Sequence, residues 1–379
     1  MSNNRQNITF ASCLALGVLA MSPAAEATVD FGKKGEPVKL VIGYQPYYTE
    51  SWSGVVVNGK ELWKKHLPAG STAEFQVGLQ GAIIVNAMTG EKQHIGYVGD
   101  MPGIVATFRN LPDRGATDIR IVAALGTSKQ QCNIFLVRND APQFASGQEA
   151  VKWMAGKDTS SPHGSCTDRF ARLAFKKAGI EPKSYLNQNI EVITTNFRAG
   201  KLDAAVIWEP TATKIVQSGL ARRAASGEDF DALDGGLLIM LNDLIQQRPD
   251  VQRGWLEAEL DAQLFLADLK NATEVSQMAE KQTEQIDRKV LWAALYGENS
   301  KSAGGGDVRM QLDFIVNERV QGLLDDATAF LNGLPNKPAA APKIREGGVD
   351  DKMAREVLTA RKLTSPVGVI KAQPLADFK

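Results

Sequence analysis

The chain has 379 residues, of which 44% are hydrophobic and 23% are charged, and it is long enough for two packed lobes of a globular protein. Lysine plus arginine equals aspartate plus glutamate at 43 each, so the basic surplus of a nucleic-acid-binding protein is missing. Three histidines and three cysteines show no metal-ligand spacing, and we expect neither a metal nor a cofactor.

The first 27 residues have the features of a secretory signal peptide. Arg5 provides a positive charge, residues 8–21 are mostly apolar, and Ala25-Glu26-Ala27 supplies the small residues that a signal peptidase requires. The apolar run is shorter than the roughly 20 residues that span a bilayer, which disfavours the alternative of an uncleaved anchor. We predict cleavage after Ala27 and a periplasmic location.

From residue 38 the chain alternates short apolar strands with helices, a pattern typical of an α/β fold. The first unit contains predicted strands over 38–43, 75–79, 94–98 and 119–125, a helix between Gly81 and Gly90, and a helix over 102–109. Because strands separated by helices tend to run parallel, we expect a mainly parallel sheet covered on both faces.

A second unit with the same alternation follows. It contains predicted strands over 133–137, 191–194 and 204–207, and helices over 147–154, 167–178 and 210–217. Long helices begin at Arg248, after a strand over 237–241, and a short helix over 350–361 follows a proline-rich loop. We therefore predict a first lobe of residues 28–128 and 237–379, braced by the C-terminal helices, and a second lobe of residues 129–236. The crossovers near 126–131 and 230–236 are expected to act as hinges.

Two matching strand–turn–helix segments point to a binding cleft, since ligands of open α/β sheets bind beyond the carboxyl ends of strands. Residues 94–102 end a strand and start a helix with Asp100 as N-cap, and residues 202–210 do the same with Glu209 beside the turn. The segments suggest two walls of one cleft, although capping alone explains Asp100 equally well.

A third helix start lies at Ser165, which forms a predicted capping box with Asp168. Free amides at such a helix start bind anions, and the site is weaker if Asp168 occupies them itself. His163 and Cys166 lie close in sequence, but that adjacency does not supply the geometry of a nucleophilic pair. Hydrolase, phosphate-loop and dinucleotide motifs are missing from the sequence, which indicates a site that binds rather than reacts.

Five segments together resemble the periplasmic solute-binding proteins of ABC importers, specifically the nitrate/sulfonate/taurine group. They are Ile42-Gly-Tyr-Gln45, Gly96-Tyr-Val-Gly-Asp-Met-Pro102, Gly164-Ser165, residues 199–210 and Arg248-Pro-Asp-Val251. The resemblance covers about residues 38–295 and extends more loosely to Leu363. It implies a two-lobed periplasmic-binding-protein type II fold that closes about a hinge on a ligand between the lobes. The chain departs from the family in a polar segment over 157–162, where the family tends to have a strand, and in its longer C-terminal tail.

Aromatic side chains dominate the expected cleft, with tyrosines in the loop after the first strand and Trp208 at the end of a strand in the opposite lobe. Such walls bury an apolar body, so we expect a small organic anion, such as a sulfonate or an aromatic acid, or a nitrogen heterocycle, rather than nitrate. The alternative is that the tyrosines are rim or packing residues. The candidate ligand-binding residues are Gln45, Tyr47, Tyr48, Trp52, Gln80, Gly99, Asp100, Met101, Thr127, Ser128, His163, Ser165, Cys166, Asn196, Trp208 and Glu209.

Two cysteines remain after the predicted cleavage, Cys132 and Cys166. In an oxidising compartment they either form a disulfide that closes a loop of about 35 residues or stay as separate buried thiols. The sequence leaves both possibilities open.

The leading functional hypothesis is the substrate-binding component of an ABC importer. We expect a monomer, not an enzyme, that captures a small-molecule solute and delivers it to a permease and its ATPase in the inner membrane, with no nucleic-acid partner. One alternative is an enzyme on the same scaffold, similar to pyrimidine-precursor synthases, which the signal peptide disfavours. The other is a sensory receptor that passes its ligand to a membrane sensor.

Overall fold

A computed structural model describes residues 29–109, 118–284, 286–334 and 343–378. The predicted signal peptide, residues 1–27, lies outside the described residues. Within the described ranges, no helix combines the length and the apolar character that crossing a membrane requires.

Two separate β-sheets form the centre of the fold. The strands are β1 (Lys39–Tyr44), β2 (Thr72–Val77), β3 (Ile95–Gly99), β4 (Ile119–Ser128), β5 (Ile134–Arg138), β6 (Asp158–Ser161), β7 (Ser184–Asn187), β8 (Ala204–Ile207), β9 (Ala221–Ser226), β10 (Asp234–Leu241), β11 (Val308–Leu312) and β12 (Gly368–Lys371). Sheet 1 has the strand order β12-β11-β4-β10-β3-β1-β2, and sheet 2 has the order β7-β6-β8-β5-β9. The chain therefore passes from sheet 1 to sheet 2 over residues 129–133, the first crossover, and returns over residues 227–233, the second crossover.

Helices cover the faces of both sheets. They are α1 (Trp52–Gly59), α2 (Trp63–His66), α3 (Gly81–Thr89), α4 (Asp100–Arg109), α5 (Gly147–Trp153), α6 (Cys166–Ala178), α7 (Ile190–Arg198), α8 (Thr211–Gln217), α9 (Asn242–Gln247), α10 (Pro249–Ala267), α11 (Ala272–Thr283), α12 (Arg288–Tyr296), α13 (Glu318–Gly333) and α14 (Lys352–Ala360). Short 3-10 turns lie at Thr49–Ser51 and Gly227–Phe230. The two-lobed α/β fold, with helices flanking each sheet, is as predicted.

The C-terminal helices pack onto the first lobe. Trp255 of α10, Leu324 of α13 and Val357 of α14 are buried in one apolar core with Ile42 of β1 and Tyr97 of β3. The second lobe has two smaller cores, because sheet 2 is covered by α5 and α6 on one face and by α7 and α8 on the other. The long helices after residue 248 are thus part of the first lobe.

The sheets are mixed, which corrects the expectation of mainly parallel sheets. Strand β1 is parallel to both of its neighbours, β2 and β3, whereas β10 is antiparallel to both β3 and β4. The cause is the double crossover: Asp234, at the start of β10, pairs with Ser128, at the end of β4. The chain leaves the first lobe at the end of β4 and returns to it at the start of β10. Because these two points lie side by side, the two strands run in opposite directions. The same relation makes β5 antiparallel to β9 in sheet 2.

The strand predicted over 191–194 is wrong, because these residues belong to α7. The buried residues Ile190, Ile193 and Phe197 follow helical spacing along one face. The side chain of Asn189 accepts a hydrogen bond from the backbone N–H of Val192 and caps the helix.

The polar segment over 157–162 contains a strand after all, β6. Ser160 and Ser161 are buried, and their hydroxyls are satisfied by hydrogen bonds to the Leu186 carbonyl oxygen and the Thr167 hydroxyl. Burial of a polar strand is tolerated when its side chains are hydrogen-bonded. The sequence pattern also fails to predict strands β7, β9, β11 and β12.

Candidate functional site

A cavity of about 210 Å³ lies between the two lobes. Its walls come from the end of β3, from the loops after β1, β6 and β8, from the starts of α3, α4 and α6, and from α13. The lining residues are Gln45, Tyr48, Gln80, Gly81, Ala82, Val85, Gly99, Pro102, Val105, Pro162, His163, Gly164, Ser165, Cys166, Trp208 and Leu331. Within the described part of the chain, the lining therefore includes no lysine, arginine, aspartate or glutamate.

Two helix starts, one from each lobe, meet at this cavity. Helix α3 of the first lobe begins at Gly81 after Gln80, and α6 of the second lobe begins at Cys166 after Ser165. Neither Gln80 nor Ser165 caps its helix with its side chain. The first amides of a helix have no intrahelical partner and carry the positive end of the helix dipole, so both helix starts can donate hydrogen bonds to an anion in the cavity.

The capping box predicted for Ser165 and Asp168 does not form. The hydroxyl of Ser165 donates to the carbonyl oxygen of Pro162 at 2.6 Å, which turns it away from the helix amides. Asp168 accepts from the backbone N–H of Gly164 at 3.0 Å and from Arg172 at 2.8 Å. Asp168 thus fixes the loop before α6 and leaves the helix start open toward the cavity.

The aromatic walls direct their polar ends away from the cavity. Tyr48 and Trp208 lie edge to face with ring centroids 6.4 Å apart. The hydroxyl of Tyr48 donates to the carboxylate of Glu50, and the indole N–H of Trp208 donates to the carbonyl oxygen of Tyr47 at 2.9 Å. The two rings therefore offer hydrocarbon to a ligand.

His163 supplies a polar atom to the cavity wall. Its ring stacks on Tyr185 with centroids 4.6 Å apart, and its buried Nε2 has no hydrogen-bond partner among the described residues. Burial lowers the pKa of His163, with a smaller opposing effect from Asp168. The imidazole is therefore neutral near pH 7 and can accept or donate one hydrogen bond.

Solved structures share this architecture over most of the chain. The sulphonate-binding protein SsuA of Escherichia coli superposes with a TM-score of 0.64 at 18% identity over 84% of this chain and 100% of its own. The alkanesulfonate-binding SsuA of Xanthomonas axonopodis pv. citri gives 0.63 at 19% identity over 83% and 98%. The nitrate-binding protein NrtA of Synechocystis PCC 6803 gives 0.64 at 16% identity over 86% and 89%. The chain has the two-lobed fold of periplasmic solute-binding proteins.

This periplasmic-binding-protein fold also occurs in an enzyme. The desulfurization enzyme DSZB superposes with a TM-score of 0.60 at 14% identity over 85% of this chain and 99% of its own. No protein-family model and no curated protein sequence matches the chain. Because one fold hosts both binding and catalysis, the function has to be argued from the site itself.

Half of the sequence-predicted site residues line the cavity. They are Gln45, Tyr48, Gln80, Gly99, His163, Ser165, Cys166 and Trp208. Their contact with a ligand stays a prediction.

Three other candidates pack into the first lobe instead. Trp52 and Met101 are fully buried, and the Trp52 indole N–H donates to the carbonyl oxygen of Pro46 at 2.9 Å. Tyr47 packs beside the same core, and its hydroxyl donates to the carbonyl oxygen of Thr283 at 2.5 Å. Tyr47 therefore fits the packing alternative, whereas Tyr48 is part of both an apolar core cluster and the cavity wall.

The expectation that Asp100 and Glu209 accept hydrogen bonds from a ligand is wrong. Both are fully buried and do not line the cavity. Asp100 forms an ion pair with Arg169 at 2.5 Å, and Glu209 forms one with Arg223 at 3.1 Å. The second oxygen of each carboxylate accepts from a backbone N–H, that of Met101 for Asp100 and that of Thr213 for Glu209, so both oxygens are already engaged within the protein.

The remaining candidates are held by their own lobes. Thr127 donates to Asp313 at 2.8 Å, and Ser128 donates to the carbonyl oxygen of Arg309 at 2.8 Å. Asn196, on α7, donates to Gln188 at 3.1 Å. These three residues do not line the cavity.

Sequence reasoning missed part of the lining. The missed residues are Gly81, Ala82, Val85, Pro102, Val105, Pro162, Gly164 and Leu331. Most lie in the first two turns of helices that follow strands. The rule that ligands bind beyond the carboxyl ends of strands, called the strand-end rule below, therefore also applies to them. Leu331 lies near the end of α13, and no local pattern indicates that it reaches the cleft.

The structure pairs Cys132 with Cys166 in a disulfide, with Cα atoms 6.2 Å apart. Cys132 lies in the first crossover, and Cys166 is the first residue of α6 and lines the cavity. The bond therefore ties the start of α6 to the segment that joins the lobes.

Proposed function

We propose that this chain is the extracytoplasmic binding component of an ABC importer and captures a small organic anion between its lobes. The observation that carries the proposal is the convergence of two uncapped helix starts, at Gly81 and Cys166, on one cavity with aromatic walls. Their backbone amides bind the acidic group, one set from each lobe, so that the ligand itself draws the lobes together.

The rest of the cavity selects the body of the ligand. Val85, Val105 and Leu331 add apolar side chains to a lining that also contains Tyr48 and Trp208. A volume of about 210 Å³ limits the solute to a small molecule. Nitrate has no apolar part to bury against these walls, so a sulfonate or an aromatic acid fits better than nitrate does.

We propose binding rather than catalysis because the cavity lacks a pair of reacting groups. The sulfur of Cys166 is bonded to Cys132, and the hydroxyl of Ser165 donates to a carbonyl oxygen. The lining in the described residues contains no carboxylate or amine to act with His163 as an acid or base, and the hydroxyl of Tyr48 already donates to Glu50.

Delivery to a permease, and with it the periplasmic location and the monomeric state, belongs to the same proposal. Leu79 and Ile83 on the first lobe, and Leu186 and Val192 on the second, are large apolar side chains that are exposed. Leu79 and Ile83 are close in sequence to the cavity residues Gln80 to Ala82. Exposed apolar side chains next to a binding site suit contact with a partner protein.

The proposal is tested by a thermal-shift screen of residues 28–379 against alkanesulfonates, aromatic carboxylates, uncharged heterocycles and nitrate. A solute at a hundred times its dissociation constant adds about 2.7 kcal/mol to the stability, which gives a clear shift. Ala82→Trp should abolish the shift because it fills the cavity. Ile83→Trp, one position along on the exposed side of α3, is the matched control and should keep it. A shift from nitrate alone, or one that survives Ala82→Trp, would overturn the proposal.

A further inference from the structure

Behind the cavity wall, Tyr48 contacts a cluster of buried acidic groups at the junction of the lobes. Its hydroxyl donates to Glu50, which is 1% exposed, and a carboxylate oxygen of Glu50 lies within 4.8 Å of one of Asp234, which is 0% exposed. Glu50 lies in the 3-10 turn after β1, and Asp234 is the first residue of β10, directly after the second crossover.

The hydrogen bonds of the two carboxyl groups leave one oxygen of each group without a donor. Oε2 of Glu50 accepts from Tyr48, and Oδ2 of Asp234 accepts from the backbone N–H of Cys132 at 3.2 Å. Oε1 of Glu50 and Oδ1 of Asp234 are buried and have no donor among the described residues. Since carboxylate oxygens only accept, a proton shared between the two groups would give both atoms a partner without any further donor.

The charged groups around this pair do not neutralise it. Asp100, from the start of α4, and Arg169, from α6 of the second lobe, form an ion pair at 2.5 Å, and Arg169 also donates to the carbonyl oxygen of Leu233 at 2.8 Å. Arg169 is matched by Asp100, and Arg223, a second guanidinium whose charge interacts with Asp234, is paired with Glu209 at 3.1 Å, so a fully ionised Glu50–Asp234 pair would place two negative charges side by side in a buried site. Burial first, and then the neighbouring carboxylates, raise the pKa of Glu50 well above its ordinary range, and burial raises the pKa of Asp234 to about 7.

We propose that Glu50 and Asp234 form a proton-sharing pair that positions Tyr48 in the ligand cavity and couples lobe closure to the uptake of one proton. The inference rests on the proposed function, since it describes the closure by which the solute is captured. Tyr48, Glu50 and Asp100 belong to the first lobe and Arg169 to the second, so the cluster is buried when the lobes meet. Opening the lobes admits water to it and allows the pair to ionise more easily.

The direction of the coupling follows from this difference. The closed form retains the shared proton near neutral pH, while the open, hydrated form releases it at lower pH. Closure therefore weakens with rising pH between the pKa of the open form and the raised pKa of the closed form, because only the open form loses its proton in that range, and it changes no further at higher pH. With one proton involved, the ratio of closed to open molecules falls by up to tenfold per pH unit.

The experiment measures the distance between the lobes by electron spin resonance of labels at Ile83→Cys and Val192→Cys, from pH 5.5 to 8.5, with and without butane-1-sulfonate. We expect the short-distance population of the parent to fall as pH rises from 5.5 and to level off once the closed pair has also lost its proton. In Glu50→Gln it should become independent of pH, because the amide donates to Asp234 and accepts from Tyr48 without titrating. Asp234→Asn should behave in the same way and provides a second variant if the first folds poorly.

Glu259→Gln is the matched control, since Glu259 is also fully buried with a pKa raised to about 7 but lies on α10, packed against Tyr97 within the first lobe. This variant should keep the pH dependence of closure. Closure that is independent of pH in the parent, or equally dependent in Glu50→Gln, would overturn the inference while leaving the proposed function standing. A single distance under every condition would instead remove both.

Discussion

The disulfide is the part of the site whose removal has the most predictable effect. Cys132 and Cys166 are both buried in the apolar cluster that also contains Tyr48 and Trp208. Replacing both cysteines by alanine leaves no unpaired thiol and no buried polar group. The perturbation is therefore mainly the loss of a crosslink between the first crossover and the start of α6.

The size of the effect follows from the length of the loop that the bond closes. The two cysteines are 34 residues apart in sequence. On the chain-entropy model a loop of this length restricts the unfolded chain by about 13 cal/mol/K, so that the bond adds about 4 kcal/mol at 25 °C. This is a large part of the stability of an ordinary domain.

Urea unfolding measures the stability that the disulfide contributes. Four samples are compared: the parent and Cys132→Ala/Cys166→Ala, each with and without dithiothreitol. The oxidised parent should be more stable than the other three samples, which should resemble one another. The reductant should leave the double variant unchanged. Two reactive thiols in the denatured, unreduced parent, or equal unfolding midpoints in all four samples, would refute the reasoning.

Three further changes test the site and its surroundings. Trp208→Ala should weaken solute binding by about 1–3 kcal/mol in calorimetry if the indole packs on the ligand, with full affinity as the contrary result. Arg169→Met should cost about 3–5 kcal/mol of unfolding free energy because it leaves the Asp100 carboxylate buried without its partner, and Asp100→Asn added to it should restore most of the loss. Glu259→Gln should become more stable relative to the parent as pH rises. Burial raises the pKa of Glu259 in the folded parent from 4.5 to about 7, so the parent loses unfolding free energy between about pH 4.5 and pH 7, whereas the variant does not. That loss is worth about 3 kcal/mol, and an equal difference at pH 5 and pH 8 would contradict it.

The strand-end rule correctly predicts those cavity residues whose position depends only on the strand beside them. Gln45 follows β1, Gly99 ends β3 and Trp208 follows β8, and all three line the cavity. Each of these positions is fixed by a strand that is recognisable from its own apolar run.

Partners from distant parts of the chain were not predictable in this way. Asp100 and Glu209 have the sequence context of ligand acceptors, but Arg169 and Arg223 occupy them, and neither pairing leaves a local signal. Leu331 likewise reaches the cavity only because α13 packs on α4. Strand direction depended on the two crossovers lying side by side, which no single segment of sequence shows.

The most direct test of the account is a crystal structure of residues 28–379 with the tightest-binding anion from the thermal-shift screen. We expect an acidic group within hydrogen-bond distance of backbone amides at the starts of both α3 and α6, with the apolar part of the molecule against Tyr48 and Trp208. An acidic group held by only one lobe, or a ligand bound outside this cavity, would contradict it.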